Sequence, residues 1–195
     1  MTTGCVILAA GNAVRFGSNK LLACYDGKPL IRRAFDAVPT ELLGPVAVVT
    51  QYDAVAELAE GYGFSALRND APELGIGHSV SLGARAVGPA CDGLLFLVAD
   101  QPLLRRATVV RIVERFAEDP TRIVVPAAGE RQGNPCVFPA ACFPALQALC
   151  GDRGGKQLLR RFPELVETIQ VDAPELADVD TLADLQKILY KSNEM

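Results

Sequence analysis

Histidine and paired cysteines are scarce in this sequence, and their scarcity excludes several kinds of catalytic site. The 195 residues include one histidine, His78, and six cysteines that form no Cys-x-x-Cys pair. The ligand spacing of a zinc site is therefore missing. A Ser-His-Asp or Cys-His mechanism would have to use His78, which carries no other catalytic signature. We expect most of the thiols to be free and buried.

Long apolar runs are missing as well. A run such as Gly93–Ala99 is far shorter than the roughly 20 residues that a membrane-spanning helix needs. The apolar stretch Cys5–Ala10 is too short for a signal peptide, and no basic residue precedes it. These features predict a cytoplasmic protein with no membrane partner.

Charge is unevenly distributed along the chain. The net charge of −4 argues against nucleic acid as a partner. Residues 1–33 nevertheless carry five basic residues and one acidic residue, whereas residues 162–184 carry seven acidic residues and no basic one. The basic segment could hold a compact anion such as a nucleotide phosphate, although most of these charges are expected on solvated surface.

Short apolar segments alternate with amphipathic ones along most of the chain. Strands are predicted at Gly4–Ala9, Val46–Thr50, Phe64–Arg68, Gly93–Val98, Ile123–Pro126, Cys136–Phe138 and Val166–Val171. Helices are predicted at Pro29–Val38, Asp53–Glu60 with Asp53 as N-cap, Gly77–Val87, Arg106–Ala117, Phe143–Cys150 and Gly155–Phe162, and around Leu182, Leu185 and Leu189.

Several of these strands are apolar throughout, which is typical of parallel strands covered by helices on both faces. The alternation therefore predicts a three-layer α/β fold with a mostly parallel central sheet, in a single domain spanning residues 1–195. In such sheets the ligand lies beyond the carboxyl ends of the strands, near a switch in strand order.

The loop after the first strand has the composition of a phosphate-binding loop. Gly11 and Gly17 lack the spacing of a dinucleotide-binding or Walker A motif. Glycines still allow backbone N–H groups to approach phosphate oxygens. The planar guanidinium group of Arg15 could bind two of these oxygens, and Lys20 adds a flexible ammonium group. The loop therefore indicates nucleotide binding at the carboxyl end of the first strand.

The same segment resembles a known signature. Leu8-Ala9-Ala10-Gly11, Arg15, Gly17 and Lys20-Leu21-Leu22 are similar to the opening motif of the MobA-like nucleotidyltransferases. The resemblance continues in order through Gly77–Leu82, Asp100-Gln101-Pro102, Gly133-Asn134-Pro135, Gly151–Lys156 and Asp178–Thr181. It spans Leu8 to Leu185, and it implies a Rossmann-like nucleotidyltransferase fold.

The double alanine Ala9-Ala10 is closer to molybdenum cofactor cytidylyltransferases than to guanylyltransferases, which tend to carry a second glycine there. The resemblance thus implies transfer of CMP from CTP to a phosphorylated pterin acceptor, with Mg²⁺ as cofactor and a molybdoenzyme as recipient. The alternatives are a guanylyltransferase, a sugar- or polyol-phosphate nucleotidyltransferase, or a cofactor-insertion chaperone of the same fold.

The resemblance also implies roles for individual residues. Arg15, Lys20 and Asp100 would be catalytic, and Asp100 and Asp180 would bind the metal. The nucleotide would contact Leu8, Ala9, Ala10, Gly11, Ser79 and Ser81. The acceptor side, within residues 130–160, would use Gly133, Asn134, Pro135, Asp152 and Lys156.

Simpler interpretations remain open at this point. Asp100 could cap the turn after its strand, and Asp180 could be the N-cap of the last helix. Ser79 and Ser81 could be ordinary residues at the start of a helix. Cys136 lies beside the acceptor segment, where a reactive thiol is an alternative to a core residue.

Overall fold

A computed structural model describes residues 1–11 and 19–192, and for residues 190–192 the backbone alone. The strands are β1 (Thr3–Ala9), β2 (Cys24–Tyr25), β3 (Lys28–Pro29), β4 (Val46–Thr50), β5 (Ser65–Arg68), β6 (Gly93–Val98), β7 (Ile123–Ala128), β8 (Arg131–Gln132), β9 (Cys136–Pro139) and β10 (Val166–Gln170). The helices are α1 (Ile31–Asp36), α2 (Asp53–Gly61), α3 (Ile76–Val87), α4 (Arg106–Glu118), α5 (Phe143–Gln147), α6 (Lys156–Arg161) and α7 (Leu182–Ser192).

The main sheet has the order β10-β7-β9-β6-β1-β4-β5, with β8 paired to β7. Strand β1 is parallel to both of its neighbours, β4 and β6, and β9 is antiparallel to β6 and β7. From β1 the chain runs outward through β4 to β5 and then crosses back to β6 on the other side. The switch in strand order therefore lies between β1 and β6, where an α/β sheet binds its ligand.

Helices cover both faces of the sheet, which explains why central strands such as β1 and β6 are apolar on both sides. Ile7 and Leu97 pack into a core with residues of α1, α2, α4 and α7. Val6 and Phe96, from the same strands, pack into a second core with residues of α3, α5 and α6. The predicted three-layer α/β fold with a mostly parallel sheet is confirmed. Within the described residues, no helix combines the length and apolarity needed to cross a bilayer.

Two local predictions are wrong. Pro29 does not open a helix, because it pairs with Cys24 in the β2–β3 hairpin and α1 begins at Ile31. Asp26 and Gly27 both have positive φ, the conformation of a tight two-residue hairpin turn, for which Asp-Gly is a strong signal. Asp53 is the first residue of α2 rather than its N-cap, and its carboxylate pairs with Arg68.

The acidic C-terminal segment is held against α4 by arginines. Four arginines in and next to α4 meet residues of the segment in reversed chain order, so the two run antiparallel. The pairs are Arg122 with the Glu164 carbonyl, Arg115 with the Glu167 carboxylate, Arg111 with the Gln170 carbonyl and Arg105 with the Asp172 carboxylate. This contact aligns the segment that leads to Asp178 and Asp180.

Candidate active site

Lys20 is the meeting point of three segments that are distant in sequence. Its Nζ donates to Asp100 Oδ2 at 2.7 Å, to the Val179 carbonyl at 2.9 Å and to Asp180 Oδ1 at 3.2 Å. Burial lowers the pKa of Lys20, but the carboxylates of Asp100 and Asp180 outweigh burial and raise the pKa above its ordinary value. The ammonium group is therefore charged at neutral pH and occupies a cation site between two carboxylates.

Local structure places Lys20 at this point. The 3-10 turn Lys20–Leu22 begins after Asn19, whose Oδ1 accepts a hydrogen bond from the Leu21 N–H at 3.1 Å. Leu21 is buried in the core and anchors the turn. The Asn19 cap and the buried Leu21 thus hold the backbone from which the Lys20 side chain extends to the carboxyl ends of the strands.

Asp100 follows β6, the apolar strand beside β1. Backbone hydrogen bonds hold this corner, from the Ala99 N–H to the Leu8 carbonyl at 3.1 Å and from the Val179 N–H to the Asp100 carbonyl at 2.9 Å. The Asp100 carboxylate pairs with Lys20 beyond the carboxyl ends of β1 and β6. This position does not fit the alternative in which Asp100 only caps the following turn.

Asp180 is not the N-cap of α7. Thr181 has that role, because its Oγ1 accepts from the Asp184 N–H at 3.1 Å and Asp184 Oδ2 accepts from the Thr181 N–H at 3.0 Å. This reciprocal pair is a capping box. The Asp180 carboxylate is therefore left to pair with Lys20.

Two cavities meet at Asp100. The smaller, of about 170 Å³, lies over the carboxyl end of β1, and the larger, of about 770 Å³, lies towards β9 and α6. Both are lined by Leu8, Ile76, Val98 and Asp100. Two substrates bound in these cavities would therefore touch the same carboxylate.

The smaller cavity collects most of the residues predicted to bind the nucleotide. Its lining includes Leu8, Ala9, Ala10, Gly11, Lys20, Ser79 and Asp100. Arg15 lies outside the described residues. The structure therefore brings the first-strand motif, the lysine and the aspartate to one place, as the resemblance implies.

Ser81 is the exception among these residues. Its Oγ donates to the Gln147 carbonyl of α5 at 2.6 Å, and in the described part of the chain it lines neither cavity. Ser79, two residues earlier, lies on another side of α3, accepts from Asn69 Nδ2 at 2.9 Å and faces the smaller cavity. Residues two apart on a helix point to different sides, so the two serines cannot share one role. The prediction that Ser81 binds the nucleotide is therefore wrong, and Ser81 instead links α3 to α5.

The larger cavity contains part of the predicted acceptor side. Asn134, Asp152 and Lys156 line it, whereas Gly133 and Pro135 are not among its described lining residues. A Cβ on Gly133 would lie 2.8 Å from Leu176 Cδ2, so packing explains this glycine.

Cys136 also lines the larger cavity, but its thiol is unsuited to nucleophilic chemistry. Burial raises its pKa to about 12, despite the opposing effect of Lys156. The thiol is therefore protonated at neutral pH, and the interpretation of Cys136 as a core residue is the better one.

Close backbone contact joins the acceptor side to the nucleotide side. Gly75 has a φ of +83°, and a Cβ there would lie 2.5 Å from the Gly151 carbonyl oxygen. The Gly77 N–H donates to the same carbonyl at 2.9 Å. These two glycines let residues 150–152 lie against the start of α3, which carries Asp152 to the rim of the larger cavity.

Asp178 is a site residue that sequence reasoning missed. It lines the larger cavity and accepts a hydrogen bond from Gln101 Nε2 at 2.9 Å. Burial, followed by the charge of Asp100, raises its pKa. The signal is present in Asp178-Val179-Asp180, since residues two apart in an extended segment point to the same side, so both carboxylates are expected to face the site together.

Two cations of the larger cavity were missed as well. Arg153 and Arg160 line it together with Lys156. Lys156 and Arg160 are four residues apart on α6 and therefore share one helix face. The larger cavity is therefore lined by three basic side chains as well as by Asp100, Asp152 and Asp178, and the basic ones can bind a phosphate group.

The carboxylate oxygens of Asp100 and Asp180 that surround the Lys20 ammonium group could also bind a divalent cation that arrives with a nucleotide. Two carboxylates already converge on one cation, and Mg²⁺ prefers hard oxygen ligands of this kind. The described residues contain no cluster of three or more acidic, histidine or cysteine side chains suited to a metal. The protein would thus supply Asp100 and Asp180, and phosphate oxygens and water would complete the coordination.

Comparison with known proteins agrees with this geometry. Residues 5–168 match the family described as MobA-like NTP transferase domain. The chain belongs to this family. It is a nucleotidyltransferase with the mostly parallel α/β fold that the sequence predicts.

Several relatives are similar over most or part of the chain. Purine catabolism protein PucB of Bacillus subtilis is 31% identical over 90% of each chain. Bifunctional protein GlmU of Pelobacter propionicus is 33% identical over 67% of this chain, which spans only 29% of that protein. A probable molybdenum cofactor guanylyltransferase of Thermococcus sibiricus is 34% identical over 62% of this chain and 60% of its own length.

A solved structure resembles the whole chain. Rv0371C of Mycobacterium tuberculosis, in complex with manganese, superposes with a TM-score of 0.77 and 25% identity over 98% of this chain and 100% of its own. The fold therefore extends through the C-terminal segment, beyond the residues that match the family.

Proposed function

We propose that this nucleotidyltransferase transfers CMP from CTP to the terminal phosphate of molybdopterin and releases pyrophosphate. The observation that carries the proposal is that the two cavities share lining residues, Asp100 among them. The smaller is lined by the nucleotide motif and the larger by apolar side chains together with basic and acidic ones, and Asp100 lies where they join. A nucleotide and a phosphorylated acceptor would meet there.

The chemistry requires positioning and charge neutralisation more than proton transfer. An oxygen of the acceptor phosphate attacks the α-phosphorus, and the bond from that phosphorus to the pyrophosphate oxygen breaks. A phosphate nucleophile is already ionised at pH 7, so the reaction needs no base. Lys20 would exchange Asp100 for an α-phosphate oxygen, and Arg15 would bind the departing phosphates.

A divalent cation held by Asp100 and Asp180 would neutralise charge between the phosphates and the protein. The manganese complex of the structural relative supports this part of the proposal. Magnesium is the expected ion, because a site with two carboxylates and phosphate oxygens suits it.

The preference for CTP is supported by Ala10. This residue lines the smaller cavity and occupies the position where guanylyltransferases tend to carry a second glycine. The second candidate, transfer of GMP from GTP, is favoured by the similarity to the probable guanylyltransferase of Thermococcus sibiricus.

We expect CTP to stabilise the protein more than GTP, ATP or UTP at equal concentration with Mg²⁺. A ligand at 100 times its Kd adds about 2.7 kcal/mol to the free energy of unfolding, an effect that a thermal-shift titration resolves. Pyrophosphate release with and without molybdopterin then tests the acceptor. A larger shift with GTP would support the guanylyl reaction, and tight CTP binding without any release would indicate a binding protein.

We expect Lys156→Ala to raise the KM of the acceptor by about tenfold, with little change in the Kd of CTP. Lys156 lines the larger cavity and not the smaller, so we expect its charge to act on the acceptor more than on the nucleotide. Steady-state kinetics and nucleotide titration measure the two effects. Arg161→Ala, which removes a cation from the same helix outside the described lining, is the control. An equal loss of CTP affinity in Lys156→Ala would contradict the acceptor assignment.

A further inference from the structure

Three consecutive side chains of β4 and the turn after it contact three consecutive carbonyls of the nucleotide segment. Thr50 Oγ1 donates to the Ala9 carbonyl at 3.2 Å, and Gln51 Nε2 donates to the Ala10 carbonyl at 2.8 Å. Tyr52 Oη then donates to the Gly11 carbonyl at 3.1 Å. The donors and acceptors follow the same chain order.

These hydrogen bonds extend the sheet beyond its last main-chain pair. The parallel ladder of β1 and β4 ends with Ala9 opposite Thr50. Past this point α2 begins at Asp53, so the backbone of β4 turns away from β1. The side chains of Gln51 and Tyr52 then bridge a distance that the backbones no longer span.

The consequence for ligand binding follows from peptide geometry. In a planar trans peptide the N–H of one residue points away from the carbonyl of the residue before it. Because the Ala9 and Ala10 carbonyls point towards β4, the N–H groups of Ala10 and Gly11 point to the other side of β1. That side carries β6 and Asp100. Two backbone donors are thereby aimed at the place where phosphates are expected.

Gln51 and Tyr52 themselves are not among the described residues that line the two cavities. Among the described residues that line the two cavities, Ala9, Ala10 and Gly11 are present and Thr50, Gln51 and Tyr52 are not. The three donors therefore act on a ligand through the backbone that they hold.

We propose that Gln51 and Tyr52 are positioning residues for the triphosphate, which orient the Ala10 and Gly11 peptides without touching the nucleotide. This inference rests on nucleotide binding in the smaller cavity and does not depend on which base or acceptor the enzyme uses. Thr50 is a poor test position, because its buried Oγ1 also accepts from the Tyr52 N–H and its loss would disturb the turn.

The test compares Tyr52→Phe, which removes one hydroxyl group, with Gln51→Met, which removes the whole side-chain amide; both keep most of the side-chain volume. We expect each variant to bind magnesium–nucleotide roughly 3- to 10-fold more weakly by calorimetry, for all four triphosphates alike, as loss of one hydrogen bond implies. The double variant should lose more than either single one. Thermal unfolding without ligand should change little.

Tyr62→Phe is the matched control. Its Oη donates to Asp36 Oδ1 at 2.8 Å, so this variant also loses a tyrosine hydrogen bond near the surface, away from both cavities. We expect its nucleotide affinity to equal that of the wild type. Affinity within twofold of the wild type for Tyr52→Phe, or an equal loss in Tyr62→Phe, would overturn the proposal. Because Tyr52→Phe retains the ring, it decides the matter even if Gln51→Met fails to fold.

The proposed function can fail separately from this inference. A wild-type preference for GTP would change the assigned nucleotide, and absence of pyrophosphate release would exclude the reaction. Neither result would alter the difference in affinity between Tyr52→Phe and Tyr62→Phe.

Discussion

Asp100→Asn is expected to lower the turnover number by about 10²–10³-fold while the protein remains folded. The substitution keeps the shape of the side chain and removes its charge. A neutral amide would still accept a hydrogen bond from Lys20, but it is a weak ligand for a hard divalent ion facing a triphosphate. The expected loss is that of one preorganised electrostatic element of the transition state. Pyrophosphate release at saturating nucleotide and Mg²⁺ measures it.

Asp92→Asn is the matched control for this experiment. Asp92 directly precedes β6, so the same chemical change is made at the opposite end of the same strand. Its carboxylate accepts only a peripheral contact from the Thr2 N–H at 2.7 Å in the described structure. We expect Asp92→Asn to keep wild-type turnover. Near-normal turnover in Asp100→Asn would make Asp100 a structural residue and would contradict the proposed metal site.

Lys20→Met is expected to lower turnover by a similar factor, about 10²-fold or more, because it removes the cation assigned to the α-phosphate. It should also change the response to metal without nucleotide. In the wild type the ammonium group lies between Asp100 and Asp180, where a divalent ion would have to displace it. Without Lys20 the two carboxylates lack this counter-ion. Mn²⁺ or Mg²⁺ alone should therefore raise the Tm of Lys20→Met more than that of the wild type.

Lys28→Met provides the comparison, since it removes the same charge from an exposed residue of the β2–β3 hairpin. Its turnover and its metal response should match those of the wild type. Equal metal-induced shifts of Tm in Lys20→Met and the wild type would show that the carboxylates do not bind the ion where the lysine lies. Wild-type turnover in Lys20→Met would remove the lysine from the mechanism.

The sequence predicts the elements of the sheet well, because their signal is local. Apolar strands such as Gly93–Val98 can be recognised from their own residues, since both faces are buried whatever the partners are. The β2–β3 hairpin differs from the predicted helix at Pro29–Val38, although its signal is also local. Pro29 resembles the proline of a helix start, but the Asp26-Gly27 pair before it is the stronger local signal and forms the hairpin turn.

Within the site, the sequence determines which segments contain the chemistry. Lys20, Asp100 and the pair Asp178 and Asp180 each lie in a motif that can be recognised without coordinates. It does not determine which carboxylate of a motif faces which partner. The choice at position 180 required the observation that Thr181 and Asp184 already form the capping box of α7.

The tertiary structure alone decided how these groups combine. Lys20 is 80 residues from Asp100 and 160 from Asp180, and Ser81 is 66 from the carbonyl that its hydroxyl contacts. Such pairings depend on strand order and on how α3, α5 and the C-terminal segment pack, and no local periodicity encodes them. The sequence by itself thus determined the fold class and the residue types of the site. Which side chains share a cation, a cavity or a carbonyl was decided by the order of the strands, because that order sets the distances between segments far apart in the chain.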